Sequence, residues 1–93
     1  MAYMLGHFEV DDYDTWKQGT FDADPAGRQE AAMGHMIFRG VDDPNKVFVG
    51  VEFDSVEEAK SFRERLLGSG ALDQGMTVVT PPTVVEVADR AEY

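Results

Sequence analysis

His7 and His35 are the only imidazoles in this 93-residue chain, which has no cysteine. Either histidine can act as a general base near neutral pH on an acidic phenol or β-dicarbonyl compound. Arg39, on a strand, and Arg28, on a helix, are candidates to hold the anion such a base creates through charge-assisted hydrogen bonds. Tyr13 and Trp16 stand three residues apart at the start of a helix, so they share a side and can flank a flat ring by stacking. Phe48 and Glu52 lie on one face of a strand and complete the candidate substrate-binding set. Each also has a plainer reading. The histidines suit hydrogen-bonded strand positions, Tyr13 and Trp16 suit ordinary core, and Arg39 suits an ion pair between subunits, with Glu52 or a partner's aspartate.

Other chemistries find little support. The absence of cysteine removes thiolate nucleophiles, disulfides and zinc–thiolate or iron–sulfur sites together. The remaining His, Asp and Glu show no ligand spacing, so no metal and no cofactor are expected. Ser55 is accounted for by the capping box it forms with Glu58, and no nucleophile-elbow glycines surround it. Gly68-Ser69-Gly70 follows a helix where a phosphate cradle would open one. With 18 Asp and Glu against 8 Lys and Arg, the net charge of -10 repels nucleic-acid backbones and anionic lipid surfaces. The N-terminus has no basic leader, and no apolar run reaches the roughly 20 residues a membrane helix needs. The expectation is a cytoplasmic protein of one domain, residues 1–93, with no nucleic-acid or membrane partner.

The elements that must position these residues follow from periodicity and punctuation. Tyr3 to Val10 alternates as a strand, with Met4, Gly6, Phe8 and Val10 on one face and Tyr3, Leu5, His7 and Glu9 on the other. Asp11 or Asp12 caps a helix carrying Tyr13, Trp16 and Phe21. Asp24-Pro25 signals a restart, with Asp24 as cap, Pro25 in first helical position and a short helix to Met33. His35 to Val41 and Lys46 to Phe53 read as a hairpin about Asp42-Asp43-Pro44-Asn45. Setting Val41 opposite Lys46 places Arg39 against Phe48, Ile37 against Gly50 and His35 against Glu52, with Met36 and Phe38 on the face of Val47, Val49, Val51 and Phe53. Ser55 then caps a helix with Val56, Ala59, Phe62 and Leu66 as its buried stripe, ending at Gly68. A helical turn at 71–74 comes next. Pro81-Pro82 then leads an edge strand from Thr83 to Ala88.

Lys46-Val47-Phe48-Val49-Gly50-Val51-Glu52-Phe53 is apolar at both parities and must be covered on both faces. Two helical regions can cover a small sheet only once. A second copy of the chain is the expected cover.

The chain resembles the dimeric α+β barrels, ferredoxin-like domains that include the antibiotic-biosynthesis-monooxygenase type and small proteins labelled cyclases. The resemblance spans almost the whole chain. It is carried by Val10-Asp11-Asp12-Tyr13-Asp14-Thr15-Trp16, Phe38-Arg39-Gly40-Val41-Asp42-Asp43-Pro44-Asn45, Glu52-Phe53-Asp54 and Pro81-Pro82-Thr83-Val84. It implies an α+β, ferredoxin-like βαββαβ domain with a four-stranded antiparallel sheet, helices on one face, and dimerisation through the other into an α+β barrel. Each protomer of such a homodimer holds a pocket between sheet and helices for a small apolar or aromatic molecule.

Some relatives use the pocket for cofactor-independent oxygenation of aromatic polyketides and some for cyclisation or isomerisation. Others bind haem through a histidine, and many have no assigned activity. A non-catalytic dimer that binds a ligand or a protein is the alternative. This chain departs from the pattern twice: relatives often place histidine where Phe8 stands, with His7 here one residue earlier, and tryptophan where Phe53 stands. The one-residue offset turns the His7 imidazole to the opposite face of the sheet.

Overall fold

The computed structural model describes residues 1–73 and 75–93. Strand β1 (Ala2–Val10) leads through α1 (Tyr13–Trp16) into a π-helical turn, Lys17–Phe21, and then α2 (Arg28–Ala31). Strands β2 (Gly34–Arg39) and β3 (Lys46–Phe53) follow, then α3 (Val56–Gly68), a 3-10 turn at Ala71–Asp73 and β4 (Met76–Glu86). The four strands form one antiparallel sheet in the order β2-β3-β1-β4, the ferredoxin-like α+β arrangement. Of the helical turn expected at 71–74, Ala71–Asp73 forms, and Gln74 lies outside the described residues. No helix among the described residues is long and apolar enough to cross a membrane.

The best-marked signals produced the expected elements. The Ser55 hydroxyl accepts from the Glu58 N–H at 3.2 Å, and Ala59 and Phe62 are the buried residues of α3. Phe62 meets the fully buried Phe53 with ring centroids 5.4 Å apart, fixing α3 to the sheet. Asp12 caps α1, its carboxylate accepting from the Thr15 N–H at 2.9 Å and the Thr15 hydroxyl at 2.8 Å. Those hydrogen bonds hold the Asp12 carboxyl below the usual range. The core gathers Met4, Phe8 and Val10 of β1 with Val47, Val49, Val51 and Phe53 of β3, under Trp16, Phe21 and Phe62. The smallest dimension of the molecule is 19 Å, as expected for one sheet and one helical layer.

Three local expectations are corrected. The α2 helix starts at Arg28, not at Pro25, because Asp24 (φ 53°) and Gly27 (φ 75°) both enter the left-handed region and make a turn of residues 24–27. The Asp24 carboxylate still caps from a distance, accepting from Arg28 N–H at 2.6 Å and Gln29 N–H at 3.0 Å.

The hairpin register is offset by one residue. Gly40, not Val41, closes it by donating to the Lys46 carbonyl at 2.9 Å, and Val41 loops into solvent. The turn is tight there: a Cβ on Gly40 would stand 2.6 Å from the Asp43 carbonyl oxygen. The pairs are therefore Arg39–Val47, Phe38–Phe48, Ile37–Val49, Met36–Gly50, His35–Val51 and Gly34–Glu52. This reverses every side chain of β2, so His35, Ile37 and Arg39 join the core face, while Met36 and Phe38 join Phe48 and Glu52 on the other.

The third correction concerns β4, which begins at Met76 and runs through Pro81-Pro82. Its register against β1 shifts between Leu5–Thr83 and His7–Thr80, leaving the prolines in an irregular edge segment where a missing N–H breaks no ladder.

Candidate functional site

The uncovered sheet face is ordered in cross-strand rows. One row is Phe38–Phe48–His7–Thr80, the next Met36–Gly50–Leu5–Thr83, and the next Gly34–Glu52–Tyr3–Val85. Met36 and Phe38 are more than half exposed, and Leu5 and Phe48 nearly so. The His7 ring stacks on Phe48 with centroids 4.1 Å apart and planes 15° from parallel. Its Nε2 is buried without a hydrogen-bond partner. Tyr3 donates to Glu52 Oε2 at 2.9 Å, and that bond to an anionic acceptor raises the Tyr3 pKa.

Helices and core line the opposite side. An aromatic chain runs along it from Tyr13 through Trp16 (centroids 5.9 Å apart) to Phe21 (5.3 Å) and on to His35 (4.9 Å). Cations lie over two of its rings: the Arg39 guanidinium is 4.0 Å from the Tyr13 centroid and that of Arg28 3.7 Å from Phe21. Arg39 also donates through Nε to the Pro44 carbonyl at 3.1 Å. Within one chain Arg39 and Glu52 lie on opposite faces of the sheet, and Glu52 is engaged by Tyr3.

Arg28 is the one charged side chain buried among the described residues. Its Nη1 donates to the Phe21 carbonyl at 3.1 Å and stands 3.9 Å from the Asp24 carboxylate. Burial lowers its pKa against the opposing pull of Asp24 and Asp22. Burial, Arg28 and Lys17 together push His35 below the ordinary value of 6.5. The fold thus favours neutral His35. Its contribution to stability is intact above pH 6.5 and declines as pH falls through the lower folded-state value. Between pH 7 and about 5.5, a His35→Gln variant should lose less urea midpoint than the parent. Equal losses would show that His35 titrates alike in the folded and unfolded chains.

Between sheet and helices lies a pocket of about 70 Å³ lined by Met4, Gly6, Phe8, Val49 and Val51 of the sheet, Phe62 and Leu66 of α3, and Trp16, Thr20, Phe21 and Arg28. Its other walls come from Pro25, Ala71, Leu72, Met76 and Pro82. The polar groups in this lining are few, and the Trp16 indole Nε1 is buried with no partner.

The candidate residues therefore divide into two groups. Trp16 and Arg28 line the pocket, and Tyr13 and His35 stand behind them in the aromatic chain. His7, Phe48 and Glu52 belong to the open face, and Arg39 covers Tyr13. Among the described residues that line the pocket, none carries a carboxylate or an imidazole. Neither histidine is thus placed to ligate a haem there. No cluster of three or more metal-binding side chains occurs among the described residues. Thr20, Met76 and Pro82 were not legible as pocket residues. Thr20 arrives through the π-helical turn and Pro82 through the edge irregularity, and neither leaves a periodic signal.

No protein-family model matches the sequence, and no curated protein does. Solved structures similar to it include Rv0793 from Mycobacterium tuberculosis, with TM-score 0.61 and 12% identity over 99% of this chain and 100% of that one. HapK from Hahella chejuensis matches with TM-score 0.62 and 11% identity over 100% of this chain and 98% of that one. A Nitrosomonas europaea protein, provisionally described as an antibiotic biosynthesis monooxygenase, matches with TM-score 0.55 and 13% identity over 96% and 100%. The likeness in each case runs essentially from end to end. The chain shares its ferredoxin-like α+β fold with these three structures.

Proposed function

We propose that this chain is a homodimeric binding protein, each protomer holding one small, flat, mostly apolar molecule in the pocket between sheet and helices. The observation that carries the binding reading is an apolar pocket walled by Trp16, Phe8, Phe21 and Phe62, with a buried guanidinium at its edge. At about 70 Å³ it is about half the ~150 Å³ of a cavity that holds benzene, so a single ring enters only as the pocket walls yield. A multi-ring polyketide would require the Tyr13–Phe21 segment to move outward.

Dimerisation is supported by the open face, where Leu5, Met36, Phe38 and Phe48 are exposed side by side.

The pocket's lack of a general base favours binding over catalysis. Cofactor-independent oxygenation or cyclisation would be confined to ligands that ionise without help. A thermal-shift screen of single-ring aromatic compounds tests the binding reading. A true ligand raises the melting temperature in proportion to the logarithm of its concentration. No stabilisation by any such compound at millimolar concentration would overturn it.

A further inference from the structure

Residues 12–32 form one wall of the pocket, contributing Trp16, Thr20, Phe21, Pro25 and Arg28. Among the described residues, every hydrogen bond and ion pair made by this segment ends inside it. Lys17 pairs with Asp22 at 2.6 Å, the Asp24 carboxylate accepts from the Arg28 and Gln29 N–H groups, and Arg28 Nη1 donates back to the Phe21 carbonyl. The polar ties to the sheet stand just outside it. Asn45 Nδ2 donates to the Asp11 carbonyl at 3.2 Å, and the Met33 N–H donates to the Glu52 carbonyl at 2.8 Å.

Between those two ties, apolar and aromatic contact holds the segment down. Trp16 and Phe21 join the core, the Phe21 ring stands edge-on to His35, and Arg39 lies over Tyr13. Such contact has no strict direction, and its release strands no hydrogen-bond partner on the sheet. Lifting would also return to water the Trp16 Nε1, which is buried without a partner. A closed volume of about 70 Å³, half that of a cavity that holds benzene, requires some wall to move. This wall is the one with no polar tie to break.

We propose that residues 12–32 are a lid over the pocket, tethered at Asp11 and Met33, which swings from the sheet as one body to admit the ligand and closes to bury it. As a ligand gate the lid rests on the pocket being a binding site. The swing itself is measured without a ligand.

The chain has no cysteine, so one introduced thiol reports on one place. Val51→Cys puts a thiol on the sheet side of the pocket, where Val51 is 2% exposed. Ala59→Cys puts one on the buried side of α3, at a fully enclosed position outside the pocket lining. Both are labelled with 4,4′-dithiodipyridine, a neutral two-ring disulfide too large for the closed pocket, and each rate is divided by that of the same variant unfolded in urea. Val51→Cys should react at least about a hundredfold faster than Ala59→Cys, because a local opening lies well below global unfolding in free energy. Its rate should barely change in dilute urea, since a swing exposes little new surface. Adding Phe21→Ala, which removes a ring that holds the lid down, should speed Val51→Cys more than Ala59→Cys. Equal rates in the two single variants would overturn the lid and leave the binding reading standing. A Val51→Cys rate that climbs steeply below the unfolding transition would overturn the one-body swing, because the segment would then be melting. Fast, urea-insensitive labelling beside a failed thermal-shift screen would support the swing and reject its role as a ligand gate.

Discussion

Replacing Phe48 with aspartate should leave each chain folded and separate the proposed dimer into single protomers. Phe48 is 42% exposed at the middle of the open face, stacked on His7 and flanked by Phe38. In one chain its ring contributes little to the core, so a carboxylate there remains in water and the fold should survive. Against a second sheet the same carboxylate would be desolvated in a row of Phe38, His7 and Thr80, which offers it no Lys or Arg. The dimer dissociation constant should rise at least about a hundredfold, or ~3 kcal/mol. Unfolding measured over a range of protein concentrations reads this directly. The parent's melting temperature should climb with concentration, and that of Phe48→Asp should not. Identical concentration dependence in both would remove Phe48 from the interface.

Phe53→Ala should produce the largest loss of stability, about 3–5 kcal/mol in urea unfolding, a large share of the ~5–15 kcal/mol typical of a domain. Phe53 is fully buried at the end of β3 and packs on Phe62, the residue through which α3 reaches the sheet. A cavity there loosens α3, and with it the Phe62 and Leu66 wall of the pocket. Ligand-induced stabilisation should therefore fall along with intrinsic stability. Phe53→Leu, which keeps most of the volume, should cost about 1–1.5 kcal/mol and preserve binding. A loss below 1 kcal/mol in Phe53→Ala would show that α3 is held by other contacts.

Some of this architecture was legible because several independent signals agreed. The helix Val56–Gly68 had a cap at Ser55, a stripe of apolar residues at helical spacing and acidic residues in its first turn. Strand β1 had clean alternation, and the structure buries Met4, Phe8 and Val10 on one face as that pattern requires. The β2–β3 register was not legible, and the reason is physical. Register is fixed by pattern only when one face is polar, and β3 is apolar at both parities, so it accepts either alignment. The remaining hint, the polarity of His35 and Arg39, pointed to the open face. On an edge strand, however, both side chains find aromatic partners on the core side, His35 at Phe21 and Arg39 at Tyr13. The turn itself decided the matter through the close approach of Gly40 to the Asp43 carbonyl, a backbone feature no periodicity reports.

The candidate site shows the same division. Trp16 and Arg28 were marked by residue type, and the structure places both on the pocket wall. That His7, Phe48 and Glu52 would sit on the far side of the sheet from them follows from strand parity alone. Two facts had no sequence signature: the unpaired indole N–H, and the engagement of Arg28 by Phe21 and Asp24. Both depend on where the segment from Tyr13 to Arg28 is laid down, and that path bends through a π-helical turn and two left-handed residues. Propensity-based reasoning reads that segment as ordinary helix with a break.

A second copy of the chain covering the open sheet face is the expectation from which the proposed homodimer follows. Sedimentation equilibrium of the unmodified protein across micromolar concentrations measures this without a ligand or a variant. It should return twice the 10.3 kDa chain mass, with dissociation only on dilution. A mass of one chain throughout that range, with Phe38, Phe48 and Leu5 open to water, would contradict it.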